Sequence, residues 1–401
     1  MKKIVLTLLV SGSLSTLAQI KNENPMIKQI QPSSTTGSSK AVIVDHVPLA
    51  HTIQILPLNK NGKVIGEGNI HKQVNQIFKH IGSVLKEAGS GVDNIVKINV
   101  YTSRNGLIPE IEKRLSSKFR NETKPAVSFV TGDLGHREAD VAMDVIAISN
   151  LRSDKVHYFN APDLYPGSSA HVAVLPEAGV TYVSGQADDG DLIQATRGTI
   201  KQLEATIKHL GITKDQVIQI KSFMQPMTDI NMVEKEFAKF FEGHTVPPLV
   251  FVNWVSKNPI IEIELIAASS ENTSKAANQL SYITPPGMTA SPIYSKVVQI
   301  NRGKKIYISS IFGNSLDEPG KQTAEIFKSL KEILNEAGSD FMHLAKATYY
   351  VSDNEASVSL NEIRPGFYDS KRPPAASKAM VKGVGVNNLS INIDMIGVVK
   401  E

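Results

Sequence analysis

The 401-residue chain contains no cysteine, which excludes disulfides, thiolate metal sites and a cysteine nucleophile. It has a single tryptophan, and aromatic residues make up only 6% of it, so no basic stretch is interleaved with rings that stack on bases. An excess of one charge is missing too. The 43 basic and 39 acidic residues leave a formal +4, too weak to favour a polyanion, and nucleic acid is not expected as a partner. Beyond the first 18 residues no apolar run is long enough to hold the chain in a bilayer. What remains has the composition of a globular chain, 41% hydrophobic and 20% charged, which must rest on its core and on contacts between its parts.

One pattern occurs three times. The segments QIFKHIGSVLKEAG, GTIKQLEATIKHLG and EIFKSLKEILNEAG end at Gly89, Gly211 and Gly338. Counting back from each glycine, the first copy places Leu85, Val84, Ile81 and Phe78 where the second has Ile207, Thr206, Leu203 and Ile200 and the third has Leu334, Ile333, Leu330 and Phe327. This is one stripe of an amphipathic helix, closed by a glycine suited to a left-handed C-terminal turn. Eight residues past each glycine stand Lys97, Gln219 and Lys346, inside alternating runs that predict strands, and 28 residues further stand Pro125, Pro247 and Pro374. Fixed spacing without insertion predicts three copies of one unit.

The lysines at 2 and 3, the apolar run 4–10 and the small residues up to Ala18 predict a signal peptide over 1–18 and an exported mature chain, periplasmic or secreted, starting at Gln19. Residues 19–40, rich in Asn, Gln, Ser, Thr and Pro, predict a flexible leader. The modules are then expected at 41–149, 156–268 and 280–401. Each has the order strand, strand, helix, strand, helix, strand, strand, an α+β unit with both helices on one face of a sheet whose other face needs cover. The first module is expected to open with a hairpin over 52–65 that turns at Asn61 and Gly62.

The Ser184-Gly185-Gln186 strand end, the Ala-Gly or Leu-Gly helix ends, the proline-led strand and the ending Glu262-Ile263-Glu264-Leu265-Ile266-Ala267 resemble the Rid family, also called YjgF. The resemblance implies a chorismate-mutase-like fold, with three mixed-sheet modules forming within one chain the trimer that family members build from subunits. It therefore implies a monomer acting as an intrachain pseudo-trimer, with small-molecule clefts between neighbouring modules and no cofactor or metal. The family's enzymes hydrolyse enamines and imines to 2-keto acids and ammonia. Their carboxylate-binding arginine lies two residues after the strand-opening proline. A guanidinium suits that task because it grips a carboxylate through two parallel hydrogen bonds.

The matching positions here are Val127, Leu249 and Ala376, so the arginine is missing three times. The family's water-placing glutamate maps to Glu262 in the second module, against Ala142 and Asn392 in the others, and the following acid maps to Asp144, Glu264 and Asp394. Tyr294 matches a family tyrosine in Pro292-Ile293-Tyr294-Ser295. A composite site would combine Glu262 and Tyr294 with Gln186, Glu264 and a displaced cation, Lys124, His244 or Arg372. The plain alternatives are a solvated strand face for Glu262 and Glu264, a rim tyrosine for Tyr294 and surface charges for Lys124 and Arg372. On these residues binding of small organic acids or amines is favoured over turnover. Imine deamination is the alternative, and nuclease or translation-inhibitor activity a third. Arginine introduced at Leu249, in the module that keeps Glu262, is the restoration the sequence recommends.

His46 and His51 lack a partnering carboxylate pattern, so surface histidines are expected rather than a metal site. The run Asp188-Asp189-Gly190-Asp191 lacks the closing glutamate of a calcium loop. Gly383-Val384-Gly385 precedes no helix signal, so it makes no phosphate cradle.

Overall fold

The structure, a computed structural model, describes residues 26–121, 123–270 and 276–401, so the expected signal peptide lies outside the described residues. The three long helices form where the stripes predict them: α1 (Ile70–Glu87), with α2 (Ile108–Lys118) after it, α3 (Leu192–His209), followed by α4 (Ile230–Phe240), and α5 (Pro319–Glu336), followed by α6 (Asn354–Ile363). Their starts are made differently. Asn69 caps α1 by accepting from Lys72 N, Asp191 makes a full capping box on α3 with Gln194, and Pro319 opens α5. Their ends are made alike, for Gly89, Gly211 and Gly338 take φ of +65°, +68° and +71°, the left-handed turn a side chain would disfavour.

Each module then repeats a central strand (Ile95–Thr102, Val217–Met224, Leu344–Val351), a proline-led strand parallel to it (Ala126–Thr131, Leu249–Asn253, Ala375–Met380) and a closing antiparallel strand (Val141–Ile148, Ile261–Ala268, Ile391–Val398). The register of central against closing strand shifts at the same place in all three, between Ile95 and Lys97, Val217 and Gln219, and Leu344 and Lys346. An extra residue at a bulge breaks alternation. Val96, Ile218 and Ala345 accordingly join the inner core while the next residues, Lys97, Gln219 and Lys346, also face inward. The opposite sheet face packs on the two helices of its own module. In the first, Ile98 and Val100 meet Ile77, Ile81 and Leu85 of α1 and Ile111 and Leu115 of α2.

The modules join by exchanging strands. Leu49–Thr52 of the first pairs with Val172–Leu175 of the second, Val180–Gln186 of the second with Val297–Ile300 of the third, and Lys305–Ile308 of the third with Ser38–Val44 of the first. The registers match, with Leu49 opposite Leu175, Val180 opposite Ile300 and Lys305 opposite Val44. The ring thus closes on itself as an intrachain pseudo-trimer, which leaves no junction unmet. Residues expected as a flexible leader take part, since Ile27–Ser33 forms a hairpin with Ser38–Val44. Its polar composition fits an outer edge strand on which Ile30 alone is fully buried. The hairpin expected over 52–65 shrinks to a Leu58–Val64 bridge above a turn in which Gly62 has φ +74°, and the strand proper is Leu49–Thr52.

Inside the ring the inner faces share one core, to which all three modules contribute, among others Val42, Ile146, Tyr182, Ile218, Tyr307 and Val398. Across the same interior runs a chain of buried ion pairs. Lys97 Nζ lies 2.7 Å from Asp394 Oδ1 and also donates to Ser128 Oγ and Ile308 O, and Lys346 Nζ lies 2.5 Å from Glu264 Oε2. Asp144 accepts from Tyr101 and Asn99. Burial works against the charge of Lys221, but Tyr350, Asp144, Glu264 and Asp394 outweigh it and hold the ammonium above its ordinary value.

Candidate functional site

The proline-led strand of each module lies against the end of a neighbour's exchanged segment or the residues just past it, which defines three boundaries between modules. At the boundary of the third and first modules, Val127 N donates to Ser309 Oγ (2.7 Å) and Phe129 N to Ser310 Oγ (2.9 Å). Asn392, buried, donates to Phe129 O and Val384 O. At the boundary of the first and second, Gln54 N donates to Leu249 O and its side chain reaches Phe251 O at 2.9 Å, with Ala142 buried nearby where an acid would stand. At both boundaries a side chain of one module thus donates to a backbone carbonyl of the next.

The boundary of the second and third modules differs. Ala376 N donates to Ser184 Oγ (2.7 Å), which also donates to Ser295 O (2.6 Å), but the next residue is Gly185. In the space its bare backbone leaves lies the carboxylate of Glu262, and a Cβ on Gly185 would stand 2.0 Å from Glu262 Oε1. Burial pushes the Glu262 carboxyl up to about 7, with neighbouring Glu264 adding to the effect and Ser377, Lys346 and Lys378 opposing it. Lys378, two residues past Ala376 and on the same face of its strand, is with Lys346 one of two ammonium groups whose charge acts on Glu262. Burial holds its amine below the ordinary value, Arg364 adds to this and Glu262 opposes it. Its Nζ donates to Ser357 Oγ at 2.8 Å.

The structure therefore gathers Glu262 with Ser184 and Gly185 of the second module and Ala376, Ser377 and Lys378 of the third. Tyr294 packs on the same third-module core as Ala376, its hydroxyl accepting from Lys296 Nζ at 2.5 Å. Lys296 O in turn accepts from Ser184 N (2.9 Å). Gln186 turns away, donating to Thr206 Oγ1 of α3 at 3.0 Å. Glu264 belongs to the axial ion pairs and is 4% exposed, because alternation carries it inward past the cleft mouth where Glu262 sits. Val127 and Leu249 lie at the other two boundaries.

None of the three cations weighed from sequence reaches this place. Lys124 is buried, and its backbone holds Gln29 and Ser39. His244 pairs with Asp215 at 2.8 Å, and Arg372 lines a separate pocket of about 440 Å³ beside Tyr282. Lys378 was missed, although its spacing from Ala376 was the available signal. The boundary that holds Glu262 presents Ala376, not Leu249, so arginine beside this acid belongs at 376. His51, expected on the surface, is 1% exposed, and neither ring nitrogen has a hydrogen-bond partner. Asp191 of the acidic run is the α3 cap.

The family model described as Endoribonuclease L-PSP matches residues 32–149, 168–269 and 287–399. Among curated relatives, a RutC family protein of Synechocystis is 31% identical over 21% of this chain and 65% of its own length, just under two thirds. Protein MMF1, mitochondrial, of Saccharomyces cerevisiae is 26% identical over 31% of this chain and 83% of its own. Among solved structures, yeast Mmf1 is 22% identical, covering 31% of this chain and 99% of that one with a TM-score of 0.24. A Rid-family protein of unknown function from Yersinia pestis is 20% identical, covering 31% and 98% with a TM-score of 0.29.

Proposed function

The chain belongs to the Endoribonuclease L-PSP family, the Rid or YjgF proteins, and from that premise we propose that it binds small organic acids at the boundary of its second and third modules without efficient turnover. The observation that carries this reading is the difference between the three boundaries. At two, Gln54 and Asn392 donate across to a backbone carbonyl of the next module, and one keeps an acid, a cation and a bare glycine backbone side by side. Lys378 would hold the ligand's carboxylate, while Glu262, close to half-protonated at neutral pH, would donate to or accept from the ligand's other polar group. A lysine offers one flexible point charge where arginine offers a planar pair of donors, so it binds a carboxylate without fixing the plane of an imine.

The test is hydrolysis of 2-iminopropanoate made in a coupled amino-acid oxidase assay. The wild-type rate should stay at background. Ala376→Arg should raise it on the order of a hundredfold or more, since each hydrogen bond to a charged group contributes about 1.5 to 3 kcal/mol. Melting curves separate a misfolded variant from an inactive one. A second reading, wild-type deamination, is favoured by the Glu262 carboxyl near 7, which suits a general base at neutral pH. Wild-type turnover abolished by Glu262→Gln would replace the binding reading with that one.

The first 18 residues support export, and the closed ring supports a monomer. Protein from the periplasm or medium of its native host should begin near Gln19 and sediment with the mass of one chain. Intact Met1 in a cytosolic fraction, or a stable trimer of whole chains, would contradict these two readings respectively.

A further inference from the structure

Beside Lys378 the same module boundary opens into a cleft of about 740 Å³, walled by residues 254–256 of the second module and by residues 351–354, 357, 378 and 380–382 of the third. That volume suits a ligand much larger than a three- or four-carbon acid. Its charged groups are mostly spoken for. The Asp353 carboxylate caps α6 by accepting from Ala356 N at 2.7 Å, and Lys382 pairs with Asp133 of the first module at 2.6 Å. Lys378 has only neutral oxygens within reach, Ser357 Oγ at 2.8 Å and Asn361 Oδ1 at 3.5 Å. Among the described residues that line the cleft, Lys378 is thus the cation with no carboxylate bonded to it, although the charge of Glu262 acts on it from deeper in the boundary. Its apolar wall is made by Trp254, the only tryptophan in the chain, with Met380, Val381 and Val255, the last 45% exposed.

We propose that this cleft extends the organic-acid site into a subsite for an amphipathic monocarboxylate, its carboxylate on Lys378 and a planar apolar tail against Trp254 and Met380. The proposal rests on the reading of the second–third boundary as an organic-acid site. The charges set the class. A dianion or phosphate ester would find a single such cation and meet Asp353, whereas a neutral ligand would leave Lys378 without a bonded counter-charge. An aromatic tail buries apolar area on exposed Val255, on half-buried Met380 and on the 8% of Trp254 that stays exposed, surface that small acids leave uncovered.

Full-length protein titrated calorimetrically with propanoate and with 3-phenylpropanoate tests it. The aryl acid should bind at least about tenfold more tightly, as burial of one ring would give, and should change Trp254 fluorescence where propanoate does not. Val255→Asp, a substitution at an exposed position that does not stress the core, should bring the two affinities together. Lys378→Gln should abolish binding of both. Equal affinities that both depend on Lys378, with Trp254 emission unmoved, would overturn the subsite and leave the organic-acid site standing. Failure of both acids to bind would overturn both readings, and failure of the aryl acid alone would overturn the subsite.

Discussion

Glu264→Ala should cost the fold about 3 to 5 kcal/mol, the usual consequence of removing one partner of a buried ion pair. Glu264 accepts from Lys346 Nζ and from Ser377 Oγ, both at 2.5 Å, and is 4% exposed. Its loss strands the Lys346 ammonium in the ring interior and withdraws one of the carboxylates that hold Lys221 charged. The pair joins the second module to the third, so the damage falls on ring closure. Replacing both partners by apolar residues, Glu264→Leu with Lys346→Met, should recover most of the stability, because no charge is then left buried alone. Denaturant unfolding measures this. A single variant within 1 kcal/mol of wild type, on the scale of an exposed pair, would show that the interior is wetter than the ring geometry implies.

Burial of His51 should cost the fold stability in acid well above the range in which ordinary carboxylates titrate, while the raised Glu262 carboxyl, protonated first in the folded chain, works in the opposite direction. Burial lowers the pKa of His51 from 6.5 to about 3, and Lys305 adds to the effect. Above pH 6.5 the ring is neutral folded and unfolded, so stability is complete. As pH falls below 6.5 the unfolded chain takes up a proton that the folded chain refuses until about 3, and stability is lost across that window. At 1.36 kcal/mol per unit the full loss is roughly 4 to 5 kcal/mol. His46, His80 and His171 are also lowered by burial and act in the same direction. The positions equivalent to His51 hold Tyr182 and Tyr307, each opposite the matching isoleucine of its closing strand. His51→Phe should therefore make the protein lose less stability than wild type between pH 6.5 and 4. An unchanged slope in that variant would assign the acid lability to other groups.

The repeated unit was legible because its signals are local: a helical stripe, a glycine forced to positive φ, and an alternating run at fixed distance. The ring was legible only through the family resemblance, since the segments that pair across modules, such as Lys305–Ile308 with Ser38–Val44, carry no mark of which neighbour they join. That gap misplaced the site as well. Glu262 and Leu249 share a module, yet the direction of exchange sets Glu262 against the next module's Ala376, while Leu249 faces Gln54 of the previous one. The bulges that turn Lys97 and Lys346 inward are invisible in alternation alone. So was the burial of His51, a titratable residue on the inner face of a short strand.

Binding at one module boundary out of three is tested most directly by stoichiometry. Calorimetric titration of the whole chain with propanoate should find a single site per chain, lost in Lys378→Gln and retained when Gln54 or Asn392 is replaced by alanine. Three equivalent sites, or one site indifferent to Lys378, would contradict it.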